Sequence, residues 1–357
     1  MSSSRSISAS SAGDAEAASG VPPGAAPAQQ RRPDALVLVN TGTPAAPRRA
    51  AVRRFLARFL ADPRVVELPS PLWLPLLYGL VLPLRSGASA HRYRLIWHPE
   101  GSPLAVNTAR IRAALERELP GNLDLSVLQA FLYSEPLLSQ VLAQLRERGV
   151  HRLLVLPLFP QSSGTTTGAV YDQLGAALAH WRTLPQLRVI ADYASDEAYI
   201  EALANSVRER RRQRGGATGE HLLISFHGIP QRYEQRGDRY GEQCRQTAQR
   251  LAAALGIPAG DWTLAFQSRF GKARWLQPAT DATLRELPHR GVRAVSVICP
   301  GFPADCLETL EEIALLGRDT FLKAGGEHFD YIPALNAGEA HIRALAALVT
   351  RASAHWH

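Results

Sequence analysis

Two stretches decide the fold: HLLISFHGIP, residues 221–230, and VSVICPGFPADCLETLEEI, residues 295–313. Each is a short, continuous apolar run that breaks into a turn rich in Gly or Pro. Strands covered on both faces of a parallel sheet read this way. The first run leaves His227 just past the end of LLISF, and the second leaves Asp305, Glu308 and Glu312 at the start of a helix. In open α/β sheets, ligands bind outside the carboxyl ends of the strands. A histidine and carboxylates delivered to that edge point to acid–base or metal chemistry.

The same grammar extends outward. ALVLVN (35–40), LDLSVLQAF (123–131), LLVLPLF (153–159), LRVIADY (187–193), LLISF (222–226), WTLAFQS (262–268), VRAVSVICP (292–300) and HFDYIPAL (328–335) read as strands. Segments with helical spacing alternate with them; in SEPLLSQVLAQLRERG (134–149), Ser134 is placed as N-cap and Gly149 as C-cap. Alternation of this kind specifies parallel sheets wrapped by helices. The expected fold is α/β: two Rossmann-like, doubly wound domains, 34–185 and 186–357, with a cleft between them. LRVIADY then opens the second domain. Residues 1–33, rich in Ser, Ala, Gly and Pro, read as a disordered tail without the apolar centre of a signal peptide.

Composition narrows the function. The formal charge of +8 is carried almost wholly by arginine, lysine occurring only at 272 and 323. A basic balance favours anionic partners, but the arginines are scattered except in RERRRQR (208–214), which reads as a solvated helix end rather than a nucleic-acid site. Cys244, Cys299 and Cys306 form no CxxC pair, which argues against a disulfide framework and for a reducing, cytoplasmic setting. No run reaches the length of a membrane span. The apolar PLWLPLLYGLVLPL (71–84), followed by Arg85, His91, Arg92 and Arg94, is open to two readings, core or interfacial contact with anionic lipid.

Each candidate site residue has a plain structural reading beside the chemical one. His227 before Gly228 can be a turn histidine, and Asp305 with Glu308 can be a capping box. Glu308 and Glu312, four apart, share a helix face and repel; facing a cleft they would have raised pKa values. The loops NTGTP (40–44) and PQSSGTTTG (160–168) can hold an anion on backbone N–H groups or be ordinary strand–helix turns, and neither matches a dinucleotide or P-loop fingerprint. Tyr133, Phe159, Tyr240 and Trp275 are core residues by type unless a flat ligand uses them.

SFHGIP, QSRFGKARWLQPATD, PGFPADCLETLEEI and IPALN, with NTGTP, IW…EGSPL (96–104) and FPQSSGTTTG, resemble the ferrochelatase family, in order from about residue 35 to 348. The resemblance implies a lyase that inserts Fe²⁺ into protoporphyrin IX, the last step of haem biosynthesis. The family's histidine and glutamate fall on His227 and Glu308, as catalytic groups and as metal ligands, and its acidic line continues to Glu312. Where some members carry a third acid, this chain has Leu316; where some carry Arg before the tyrosine, it has Leu132. The porphyrin contacts implied are Thr41, Tyr133, Phe159, Trp275 and Phe302, with Arg92 and Arg94 near the propionates. Fe²⁺ is substrate, and no cofactor is implied beyond it. The chain ends in RASAHWH without the cysteines that hold an iron–sulfur cluster in animal members, so none is expected. Further partners implied are an anionic membrane surface, met peripherally, and neighbouring haem-pathway enzymes. A non-enzymatic tetrapyrrole carrier and a chelatase for another metal or ring, such as coproporphyrin, are the competing readings.

Overall fold

The structure, a computed structural model, describes residues 34–121, 125–215, 220–269, 271 and 273–356. The tail expected at 1–33 lies outside them. Two four-stranded parallel sheets carry the fold. In the first, β1 (Asp34–Asn40), β2 (Leu125–Phe131), β3 (Arg152–Pro157) and β4 (Gln186–Val189) lie in the order β2-β1-β3-β4. In the second, β5 (His221–His227), β6 (Trp262–Gln267), β7 (Ala294–Ile298) and β8 (His328–Tyr331) lie in the order β6-β5-β7-β8. In each sheet the chain reverses its winding beside the first strand, between β1 and β3 and between β5 and β7. Crevices at such switch points are where open α/β sheets bind ligands.

The expected second half would have opened with LRVIADY. The structure corrects this, because Gln186–Val189 pairs in parallel with Arg152–Val155 and closes the first sheet. The strand is short and incompletely covered, and its apolar signal does not say which sheet it joins. Nor are the two sheets separate cores. Leu36, Leu38, Leu154 and Leu156 share one buried cluster with Leu222, Ile224, Phe226 and Ile298. The helices α7 (Glu197–Gln213), α9 (Tyr240–Leu255) and α12 (Glu339–Ser353) pack between them, and α12 reaches back to β3 and to α4 (Pro103–Glu118).

Local sequence explains most helices. In α5 (Leu138–Glu147), Leu138, Val141, Leu142 and Leu145 form a buried stripe at helical spacing. Gly149, just past the C-cap Arg148, has φ +66°, a conformation that suits glycine. Ser134 is not the cap: its hydroxyl accepts the Thr43 N–H at 3.1 Å, so the helix starts three residues later than that cap would imply, after Leu137.

The apolar stretch after α1 (Arg49–Ala61) is helical from Ser70 to Ile96, as α2 (Ser70–Leu76), a π turn (Leu77–Val81) and α3 (Leu82–Ile96). Pro75 and Pro83 each remove a helical donor, and the π turn between them takes up the mismatch. The stretch is divided between a buried and an exposed face. Trp73, Leu77 and Leu82 are buried against Leu60, with the Trp73 indole N–H donating to the Leu60 carbonyl at 2.6 Å. Leu72 is 74% exposed and Leu84 70%, with Leu76, Tyr78 and Leu80 also exposed. Among the described residues, no helix is long and apolar enough to cross a membrane.

The arginine run 208–214 ties down the end of α7. Arg210 grips the buried Asp330 through paired hydrogen bonds, Arg214 meets Asp330 and Glu220, and Arg208 meets Glu201. These cations are paired with carboxylates of the same chain, while Arg212, paired with Glu209, stays 74% exposed at the helix end.

His341 of α12 is buried in the shared core, with Nδ1 hydrogen-bonded to the Asn336 carbonyl at 2.6 Å and no partner at Nε2. Burial lowers its pKa to about 4. The imidazole is therefore neutral in the fold and protonated below about 6.5 when unfolded. Below pH 6.5 the unfolded state binds the extra proton, so stability is full above 6.5 and falls as pH drops toward 4. The shift is worth about 3 kcal/mol across that window. Urea unfolding of His341→Leu should show a flatter acid limb than the parent protein; an unchanged limb would show that His341 does not contribute.

Candidate active site

The second sheet delivers the histidine. His227 is the last residue of β5, in register with Gln267 at the end of β6. Its Nδ1 lies 2.6 Å from the Gly228 carbonyl. A carbonyl only accepts, so Nδ1 donates in this contact, and in the neutral ring the lone pair lies on Nε2. The turn is tight. A Cβ at Gly228 would lie 3.0 Å from the Gln267 carbonyl and 3.1 Å from the Trp275 ring. Glycine lets Trp275 pack against the backbone beside His227, where residues 230 and 275 form a bridge. Phe302, in the turn after β7, brings its ring centroid to 6.4 Å from the imidazole.

Across the switch point, β7 leads into a helix that is π rather than α over Glu308–Gly317, continuing as α11 (Arg318–Lys323). Such i→i+5 segments are rare and concentrate at functional sites. The capping-box reading does not hold. The Asp305 carboxylate accepts from the Thr309 hydroxyl at 3.0 Å, the Tyr331 hydroxyl at 2.5 Å and the Asn336 amide at 2.8 Å. The Cys306 N–H goes to the Thr309 hydroxyl, and the segment has no side-chain N-cap. Asp305 thus anchors the turn, and Glu308 is released from capping. Gln267 completes the frame, its amide donating to the Glu308 carbonyl at 2.8 Å and its oxygen accepting from Ser225.

Glu308 is half-buried, and its neighbours are the Cys306 thiol and the Tyr93 phenol of α3. Burial first, then the Glu308 charge, pushes the pKa of both groups well up. A hydrogen bond to Thr43 acts in the opposite direction on Tyr93, and the Thr43 hydroxyl lies 2.7 Å from that of Ser102. Glu312 accepts from the Ser268 N–H at 2.7 Å and hydroxyl at 2.5 Å. Ser268 adopts φ +65°, rare for a residue with a side chain, to present both donors. Burial raises the Glu312 pKa, the Ser268 hydroxyl and His227 lower it, and Glu308 raises it again. Glu312 therefore feels both His227 and Glu308.

The remaining sequence candidates sit on the first sheet. Thr41 is half-buried just past β1, its N–H donating to Asn40 Oδ1 at 2.8 Å. Tyr133 and Phe159 lie beyond β2 and β3 and are buried in the first sheet's own cluster. Burial pushes the Tyr133 phenol up, and its hydroxyl donates to Asp62 at 2.8 Å, at the root of the exposed apolar stretch. These three are placed at the matching edge of the other sheet. Arg92, though exposed, is paired with Glu311, and Arg94 lies 3.5 Å from His91.

Neither glycine-rich loop is an open anion cradle. In PQSSGTTTG, the Ser163 hydroxyl and the Gly164 N–H both donate to Asp238 at 2.8 Å, and the Ser162 N–H donates to Gln243. In NTGTP, Gly42 has φ +100°, and a Cβ there would clash with the Ser134 hydroxyl. Sequence reasoning passed over Tyr93, Ser268 and Glu311; the last two lie inside quoted motifs, whereas Tyr93 carried no local signal.

A histidine at a strand end beside an acidic π segment, at the switch point of one of two parallel sheets, defines a chelatase-like α/β protein. Solved structures share that fold. SirB from Bacillus subtilis with Fe³⁺ superposes with a TM-score of 0.55 at 11% identity, covering 91% of this chain and 98% of that one. CbiX, the terminal enzyme for biosynthesis of sirohaem in denitrifying bacteria, gives 0.50 at 16%, covering 89% and 99%. The sequence profile of the ferrochelatase family matches residues 33–353. The ferrochelatase of Aeromonas hydrophila is 51% identical over 317 residues, 88% of this chain and 97% of its own length. That of Nitrosococcus oceani is 47% identical over 322 residues, 90% and 87%. The chain belongs to the ferrochelatase family.

Proposed function

We propose that the protein inserts Fe²⁺ into protoporphyrin IX to give protohaem, closing haem biosynthesis as a metal-chelating lyase. The observation that carries this is Glu312, held by Ser268 and acted on by both His227 and Glu308, at the end of the strand that bears the histidine. Metallation must remove two pyrrole protons as Fe²⁺ enters from the ring's face. A flat macrocycle shields its nitrogens, so the site works by favouring a bent ring, the geometry of the transition state. Trp275 and Phe302 flank the ring beside His227, and Thr41 meets it from the first sheet, backed by the buried Tyr133 and Phe159. His227 Nε2 takes the pyrrole protons. Glu308 leads Fe²⁺ to the ring, and Glu312, held by Ser268, passes protons onward. Fe²⁺ is a substrate that arrives with each cycle, and the same His227 lone pair is available to it as a ligand.

Two readings compete on the ring and on catalysis itself. Anaerobic turnover of Fe²⁺ with protoporphyrin IX should exceed that with coproporphyrin, since the mouth beside the cleft is apolar. Faster turnover of coproporphyrin would reassign the substrate, and porphyrin binding without metallation by either ring would make the protein a carrier.

The exposed leucines beside the mouth suit peripheral contact with an anionic lipid surface, from the cytoplasmic side. Leu72→Ser combined with Leu84→Ser should abolish flotation with phosphatidylglycerol-containing vesicles while leaving the melting temperature within a few degrees. Absence of flotation by the parent protein contradicts the contact.

A further inference from the structure

Glu311 is out of place for a charged residue. It is 3% exposed, and it lies in the turn of the π segment that also carries Glu308 and Glu312. Three carboxylates so close repel, and burial removes the water that would screen them. The cation set against Glu311 comes from elsewhere in the chain: Arg92 Nε of α3 lies 3.5 Å from Glu311 Oε1, and the Arg92 side chain is 53% exposed. The His91 side chain acts on Glu311 in the same sense, and Glu308 and Glu312 act in the other. The contact is not isolated. α3 packs on the π segment, and Tyr93, next to Arg92, shares a small apolar cluster with Val52, Ala90 and Leu307. α3 is also the continuation of the helical stretch whose leucines at 72, 76, 80 and 84 are exposed.

We propose that the Arg92–Glu311 ion pair is a latch between this apolar-lipped helix and the π segment, and that both are positioning residues for Glu308 and Glu312. A buried carboxylate that loses the guanidinium paired with it becomes a poorly compensated charge, whereas removing both partners leaves none. With the pair made, the lip helix lies against the π segment and the two carboxylates keep their aim at His227. With it broken, Glu311 seeks solvent and carries the turn with it. The position of the lip and the aim of the acidic line are thus one variable. This rests on the metallation reading for its kinetic arm alone.

The experiment is a cycle of Arg92→Gln, Glu311→Gln and the double variant, with Arg92→Lys as the conservative control. Two readouts are taken: hydrogen–deuterium exchange over 82–96 and 308–317, and kcat and KM for Fe²⁺ insertion into protoporphyrin. Arg92→Gln should speed exchange in both segments and lower kcat about tenfold with a smaller change in KM. Arg92→Lys should keep most of the parent behaviour, and the double variant should be no worse than Glu311→Gln. Additive effects in the double variant, or exchange that changes in only one segment, overturn the latch. So does a rise in porphyrin KM alone, which would make Arg92 a substrate contact. If the exchange pattern appears but no variant, nor the parent, inserts iron, the latch stands and the metallation reading falls.

Discussion

His227→Ala is expected to lower kcat for Fe²⁺ insertion by about 10²–10⁴-fold, the range lost with a positioned general base. The fold should tolerate the change. His227 ends its strand and is half-buried, and its Nδ1 bonds to the adjacent Gly228 carbonyl. Truncation removes the Nε2 lone pair and leaves Trp275 seated on Gly228. Glu312 also loses the group that favours its ionised form and rises further in pKa. The variant separates two roles. If porphyrin and Fe²⁺ still bind but no metallation follows, His227 is the proton acceptor. If Fe²⁺ binding is lost in parallel with rate, it is the ligand. A variant that inserts iron at the parent rate removes His227 from the mechanism.

Asp305→Ala is expected to be the most destabilising single change near the site, by about 3–5 kcal/mol. The buried carboxylate accepts from Thr309, Tyr331 and Asn336, and the Asn336 N–H in turn is held by the Pro303 carbonyl. Alanine leaves these donors unsatisfied inside the protein. It also releases the turn that launches the π segment, so activity should fall beyond what the lost stability explains. Asp305→Asn keeps acceptor oxygen and shape and should recover a large part of the loss. The check is urea unfolding of the three proteins beside their kcat values. An alanine variant within about 1 kcal/mol of the parent would show that the network does not anchor the segment.

Much of this was legible in the sequence. Continuous apolar runs bounded by Gly and Pro located all eight strands, and the edge residues His227, Glu308 and Glu312 were visible because parallel strands end at ligand crevices. What could not be read depends on partners distant in sequence. The strand at Gln186–Val189 joins the first sheet through pairing with β3, which no local pattern encodes. The π character of Glu308–Gly317 has no propensity signature; it is framed by Gln267 on the Glu308 carbonyl and by Asp305 below the turn. The capping-box spacing at 305–308 was a true local pattern that the tertiary acceptor network overrode. Glu311 reads as a surface helix residue until α3 covers it. In the same way the arginines of 208–214 look like a free cationic run until Asp330 and Glu220 are placed opposite them.

The most direct test of the central claim is anaerobic mixing of the purified protein with protoporphyrin IX and Fe²⁺, followed by porphyrin fluorescence and by the absorbance of the product. The site described here predicts catalytic loss of fluorescence with matching growth of protohaem, and near-complete loss of that rate in Glu308→Gln although porphyrin still binds. Porphyrin that stays fluorescent in the presence of the folded parent protein and Fe²⁺, or a Glu308→Gln variant that turns over as fast as the parent, would contradict it.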